Sequence, residues 1–213
     1  MIAAPSAVLN ELELDALTEL VNIGVSKAAG SLRDMVGEQI LLSVPNVALF
    51  GREEAIAMLG ESGQRRLVAV HQVFDGEISG RAMLIFHEAN SLELVRAVAG
   101  GELSLEDIIE LEQEALAETG NIVLNGCLAT MANILQRSLK VSLPEVVRGE
   151  GAVLFNMAPP PEAGDIILFL YINFVLKSRD INGYIAMLMD MPSLEALALL
   201  LREFIERNSE DDE

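Results

Sequence analysis

The sequence predicts an α+β fold in which two related α/β repeats share one sheet about a pseudo-two-fold axis. Three observations predict it. A pattern of long helix, extended segment, strand pair and closing helix runs through the chain twice. Residues of the first pass return in the second at one offset. The strand over 166–176 is apolar on both alternating faces, which is the pattern of a sheet covered on both sides.

The elements follow in order. Leu9 to Val36 reads as an amphipathic helix with Asn10 or Ser6 as its cap. Residues 39–50 read as extended, with Val44-Pro45 at their centre, and 53–59 as a short helical segment. Strands over 66–74 and 78–87 form a hairpin joined across Asp75-Gly76. A helix over 90–99, opened by Asn90 or Ser91, stops at Gly100-Gly101. The second pass has a long helix over 111–138 and an extended segment over 141–147 around Pro144. Strands over 165–176 and 184–189 and a helix over 192–207 complete it.

The repeat is legible residue by residue. Asp15-Ala16-Leu17-x-Glu19-x-x-Asn22-Ile23 returns as Glu114-Ala115-Leu116-x-Glu118-x-x-Asn121-Ile122. Glu19 and Glu118, Asn22 and Asn121, and Pro45 and Pro144 are each 99 positions apart. Ser91-Leu92-Glu93 returns as Ser193-Leu194-Glu195 at an offset of 102. One offset shared by a glutamate, an asparagine and a distant proline argues duplication. The expected organisation is a single domain over 1–207, built of repeats at about 10–101 and 110–207, followed by an acidic tail over 208–213.

Composition narrows the function. Hydrophobic residues make up 51% of the chain, enough for a sizeable core. The formal charge of −19 would repel a phosphate backbone, so nucleic acid is excluded as a partner. No signal-peptide pattern opens the sequence, and its longest apolar run is too short to span a bilayer. A cytoplasmic protein with no membrane partner is expected. The single cysteine, Cys127, sits among Leu124, Leu128 and Met131 and reads as a buried thiol. His71 and His87 lie in predicted strands without ligand spacing, so no metal site or cofactor of the chain's own is expected.

Residues three or four apart on a helix share a face, with Cβ atoms about 5–6 Å apart. Asp15, Glu19, Asn22 and Ser26 therefore form a polar line on the first long helix, and Glu114, Glu118, Asn121 and Asn125 form one on the second. A single Glu-x-x-Asn arises often by chance on a solvated face. Asparagine inside a helix is a local misfit, because its side chain competes for backbone hydrogen bonds. Meeting it twice, in one register and beside the same glutamate, points to function. Catalytic candidates are Glu19, Asn22, Glu118 and Asn121, with Asp15, Ser26, Glu114 and Asn125 supporting them. Lys27 and Arg33 near the first group, and Arg137 and Lys140 beyond the second, are the basic residues at hand.

The doubled motif, an acidic residue, Glu-x-x-Asn and a proline just over twenty residues on, resembles that of the CheC/CheX/FliY chemotaxis phosphatases. Two motifs in one chain of this length look like CheC. The resemblance implies hydrolysis of the aspartyl-phosphate of a CheY-like response regulator, with Mg²⁺ supplied by the regulator. It implies that Asn22 and Asn121 orient the attacking water while Glu19 and Glu118 pair with a lysine of the regulator. A CheD-like deamidase is a further partner that it implies, and a non-catalytic scaffold for either protein is the alternative. Many members carry a second asparagine four residues after the first; Asn125 supplies it in the second half, where Ser26 stands in the first. The Glu118/Asn121 site is therefore expected to carry most turnover.

Overall fold

Asn10 and Glu13 set where the first helix begins. In a computed structural model of the protein, residues 8–37, 39–60, 66–99, 104–156, 166–176 and 179–210 are described. Helix α1 spans Glu11–Val36 and opens on a reciprocal capping box. The Glu13 N–H donates to Asn10 Oδ1 at 2.9 Å, and the Asn10 N–H donates to Glu13 Oε2 at 2.9 Å. The helix closes on Gly37, whose φ of +75° costs a residue without Cβ nothing. Strand β1 (Ile40–Gly51), α2 (Arg52–Gly60), the strands β2 (Leu67–Gly76) and β3 (Gly80–His87), and α3 (Glu88–Ala99) follow.

The second pass holds α4 (Leu105–Ile134), β4 (Leu139–Val141), β5 (Glu145–Gly149), α5 (Gly151–Asn156), β6 (Ile166–Leu176), β7 (Arg179–Met189) and α6 (Met191–Glu210). Several details depart from the sequence reading. Strand β7 opens at Arg179 instead of residue 184. Helix α4 starts at Leu105 instead of Leu111, because Ser104 and Asp107 form a second capping box, and it ends at Ile134, short of Ser138. The β2–β3 turn lies beyond Asp75-Gly76, since those two residues pair with Lys140 and Leu139 of β4. The segment around Pro144 is split into two strands, and α5 was not anticipated. Helix α6 runs on to Glu210, so Asn208, Ser209 and Glu210 are helical where an acidic tail was expected. Gly100, Gly101 and residues 211–213 lie outside the described residues.

The strands form one seven-stranded sheet in the order β1-β6-β7-β3-β2-β4, with β5 also on β2, and every pairing is antiparallel. Both faces are covered. Leu168, Leu170 and Ile172 of β6 join Val70 and Leu84 in the larger core, under side chains of α1, α3, α4 and α6. Ile167 and Phe169 turn the other way, against Ala55 and Leu59 of α2 and Leu154 and Phe155 of α5. The mixed α/β fold is thus three-layered. No helix among the described residues is long and apolar enough to cross a membrane.

Helices α1 and α4 lie side by side on the larger-core face, and glycine sets their spacing. A Cβ on Gly24 would stand 2.8 Å from Cys127 Cα and 2.8 Å from the Gly126 carbonyl oxygen. Cys127 is fully buried in this crossing, and burial pushes its thiol pKa up to about 12, so it is no nucleophile. Two buried carboxylates brace the long helices from outside. Glu13 pairs with Arg202 of α6, and Glu112 pairs with Arg148 of β5 at 2.6 Å while accepting from Ser91 at 3.2 Å. Each buried charge is thereby matched by a cation.

Candidate functional site

The two polar lines are present as read. Asp15, Glu19 and Ser26 on α1 and Glu114 and Glu118 on α4 are exposed, whereas Asn22, Asn121 and Asn125 are half-buried. Neither Glu19 nor Glu118 has an ion-pair partner among the described residues. Both are free to meet an incoming cation.

The two asparagines are held differently. Asn22 reaches from α1 into the break in β1. Strand β1 keeps register with β6 up to Ser43↔Asn173 and resumes it at Asn46↔Tyr171, so Val44 and Pro45 fall in a bulge. The Val44 N–H donates to Asn22 Oδ1 at 3.0 Å, and Asn22 Nδ2 donates to the carbonyls of Val44 and Thr18, both at 3.1 Å. A side-chain amide here stands in for the strand neighbour that the bulge removed. Val44 is 2% exposed, so its backbone groups need that partner. Both Asn22 N–H groups are spent.

The corresponding stretch of the second half lies off its helix. At the break between β4 and β5, Ser142 takes over the pairing: its N–H donates to the Val73 carbonyl at 2.9 Å, and its Oγ accepts from the Val73 N–H at 3.0 Å. Leu143, the counterpart of Val44 at the 99-residue offset, is 84% exposed. Asn121 is therefore clear of the backbone. Its Oδ1 accepts from Asn125 Nδ2 at 2.7 Å and from Gln72 Nε2 at 3.2 Å, and Gln72 also donates to the Ser142 carbonyl at 2.8 Å. Its Nδ2 makes no hydrogen bond among the described residues. The amide is fixed by its oxygen and offers its nitrogen.

Asn125 thus makes the contact that its spacing suggested. No hydrogen bond of the Ser26 hydroxyl is found among the described residues. Gln72 escaped the sequence reading. It is 1% exposed on β2, and a lone glutamine in an apolar strand was the available signal, since such a residue needs a buried partner. Among the basic residues, Arg33 pairs with its neighbour Asp34 and Arg137 with Glu77 and Glu203. Lys27, read from its place in the chain as a neighbour of the first motif, lines a groove with Asn121 and Asn125 of the second. His71 is buried in β2, where loss of solvation and then Arg81 lower its pKa while Glu145 opposes them.

Comparison with known proteins bears on the family and the fold. Residues 12–49, which carry the first motif from Asp15 to Pro45, match the model of the CheC-like family. The chain is similar to the CheC1 protein of Halobacterium salinarum, at 22% identity over 92% of this chain and 98% of that one. It is similar also to the CheY-P phosphatase CheC of Bacillus subtilis, at 25% identity over 91% of this chain and 95% of that one. In fold it resembles the crystal structure of Thermotoga maritima FliY, with a TM-score of 0.74 and 18% identity over 92% of this chain and 99% of that one. The resemblance read from the two motifs thus extends along nearly the whole chain.

Proposed function

We propose that the chain is a phosphatase of chemotaxis signalling in the cytoplasm, hydrolysing the aspartyl-phosphate of a CheY-like response regulator, and that turnover is centred on Glu118 and Asn121. The observation that supports this placement is the state of the Asn121 amide: oxygen held by Gln72 and Asn125, nitrogen unbonded among the described residues, beside an exposed carboxylate one turn away. Phosphoryl transfer to water needs little covalent help from a protein; it needs a water held in line and donors for charge on the phosphoryl oxygens. An amide nitrogen supplies such a donor without a negative charge that would repel the phosphoryl group. Asn121 Nδ2 holds the attacking water by its oxygen, and two hydrogen bonds to Oδ1 keep the amide from rotating. Glu118 pairs with a lysine of the regulator and sets the docking register. Mg²⁺ comes with the regulator in this reading. Glu19 and Asn22 form the second copy, whose amide is engaged by Val44.

We propose further that the chain is one domain whose repeats, at about 10–101 and 110–207, are related by a pseudo-two-fold axis between β3 and β7. The sheet order supports it: read inward from either edge, β1 corresponds to the β4–β5 pair, β6 to β2, and β7 to β3. Glu13 and Glu112, the two buried carboxylates, are likewise 99 positions apart.

The test is release of phosphate from a phosphorylated CheY-like regulator with Mg²⁺ present. Loss of the acyl phosphate should be faster with the chain than with the regulator alone. A rate no faster at equimolar chain would overturn the catalytic reading.

A further inference from the structure

The groove beside Asn121 has a wall that neither motif includes. It encloses about 340 Å³ between α1 and α4, floored by Ala28 and Gly126 and flanked by two one-turn pairs. Asn121 and Asn125 stand on the α4 side, and Lys27 and Ser31 on the α1 side. Lys27 lies five positions after Asn22, which turns it off the polar line of its own helix and toward α4. Its side chain is exposed and has no ion-pair partner among the described residues, in a chain of formal charge −19. Arg33 and Arg137 are already paired with carboxylates.

The other half has no equivalent. The residue 99 positions after Lys27 is Gly126, so no second lysine crosses from α4 toward Asn22 and Ser26. Lys27 lines the groove of the asparagine whose nitrogen is unbonded among the described residues, and the matching position beside the other asparagine is a glycine.

We infer that Lys27 is the anion-recognising residue of the Asn121 site: it binds the phosphoryl group of the regulator's aspartyl-phosphate from α1, opposite the amide that α4 presents. This rests on the phosphatase reading and deepens it, making the site a composite of both helices. An ammonium on a flexible stem suits a doubly charged group whose oxygens shift during hydrolysis. It also gives a strongly acidic protein a local attraction for the phosphorylated regulator over the unphosphorylated one.

The test is binding of the full chain to a CheY-like regulator with and without beryllofluoride, the phosphoryl mimic, alongside phosphate release. Lys27→Gln should weaken binding of the beryllofluoride-loaded regulator about tenfold and leave the unloaded form within about twofold. Lys27→Arg should restore most of the loss. Lys140→Gln, which removes the same charge from an exposed lysine outside the groove, should change neither form. Equal behaviour of Lys27→Gln and Lys140→Gln would overturn the proposal, and so would an equal loss for loaded and unloaded regulator. Turnover by the intact chain with no effect at Lys27 would leave the phosphatase reading standing alone. Selective loss of loaded-regulator binding in a chain that never releases phosphate would do the reverse. An intact chain that neither binds the loaded regulator nor releases phosphate would remove both.

Discussion

Asn22 and Asn121 occupy the same position of the same motif, yet one is built into the fold and the other is held out of it. The difference comes from the segment facing each helix. Where Val44 sits down on α1, its backbone takes one N–H group and the oxygen of Asn22 into service, and the Thr18 carbonyl takes the other N–H. Where Leu143 stands away, Ser142 satisfies the strand and the Asn121 nitrogen is unbonded among the described residues. Identical residues at the same motif position can thus be held differently, one bonded into the sheet and one bonded through its oxygen to neighbouring side-chain amides.

The sharpest way to break this comparison is kinetic. Asn121→Ala should slow single-turnover dephosphorylation about 10²-fold while regulator binding stays within a few-fold, because the donor that positions the water is lost. Asn22→Ala should change turnover far less. Equal losses, or a larger loss at Asn22, would show that the clamp on Val44 opens during the reaction.

Stability should show the opposite order. Asn22→Ala strands the N–H and C=O of a buried valine, at a cost of about 2 kcal/mol in urea denaturation. Asn121→Ala, which leaves Gln72 partnered by Ser142 and Asn125 partly open to solvent, should cost less than half of that. If the two variants melt alike, the two amides carry similar structural weight.

A smaller effect is expected at the segment that distinguishes the sites. Leu143→Ser should weaken regulator binding about fivefold, the value of partly covering one leucine, without altering the maximal rate or the stability. Surface plasmon resonance beside a turnover assay separates these quantities. An unchanged affinity would mean that the exposed Leu143 plays no part in docking.

The smallest effect concerns pH. Strand β2, which carries Gln72, also holds buried His71, whereas β6 on the other side has no histidine. Burial lowers the His71 pKa from its ordinary 6.5, so the unfolded chain takes up that proton first as pH falls. The folded state therefore loses stability from about that value downward. His71→Leu should flatten the urea midpoint against pH in this range, and an unchanged slope would place the acid sensitivity elsewhere.

Much of this was legible beforehand because the Glu-x-x-Asn pattern stands in the sequence twice, 99 positions apart. The Glu-x-x-Asn lines and the covered sheet both followed from patterns that local periodicity enforces. Even Glu13 and Glu112 stood at the tell-tale offset, although their burial shows only in three dimensions. What could not be read was tertiary. Gln72 reaches Asn121 across 49 positions of chain, and Asn22 reaches Val44 across 22, and no local spacing announces either bond. Lys27 lies nearer the first motif in sequence but lines a groove with the second, because helix packing decides which wall a residue joins. The start of α4 at Leu105 does have a local signal, the capping box of Ser104 and Asp107 ahead of the apolar pattern.

The helix crossing at Gly24 carries a consequence for how such a protein can diversify. The distance between the two helices is a gauge cut by a missing methyl group: any Cβ on Gly24 would meet backbone atoms of the other helix at 2.8 Å. Backbone cannot swing aside as a side chain can, so even alanine there would have to prise the helices apart and widen the slot between Lys27 and Asn121. Fit and chemistry accordingly sit on separate dials. Polar residues along the slot can be exchanged without changing its width, and a substitution at one glycine can reset the width without touching any of them.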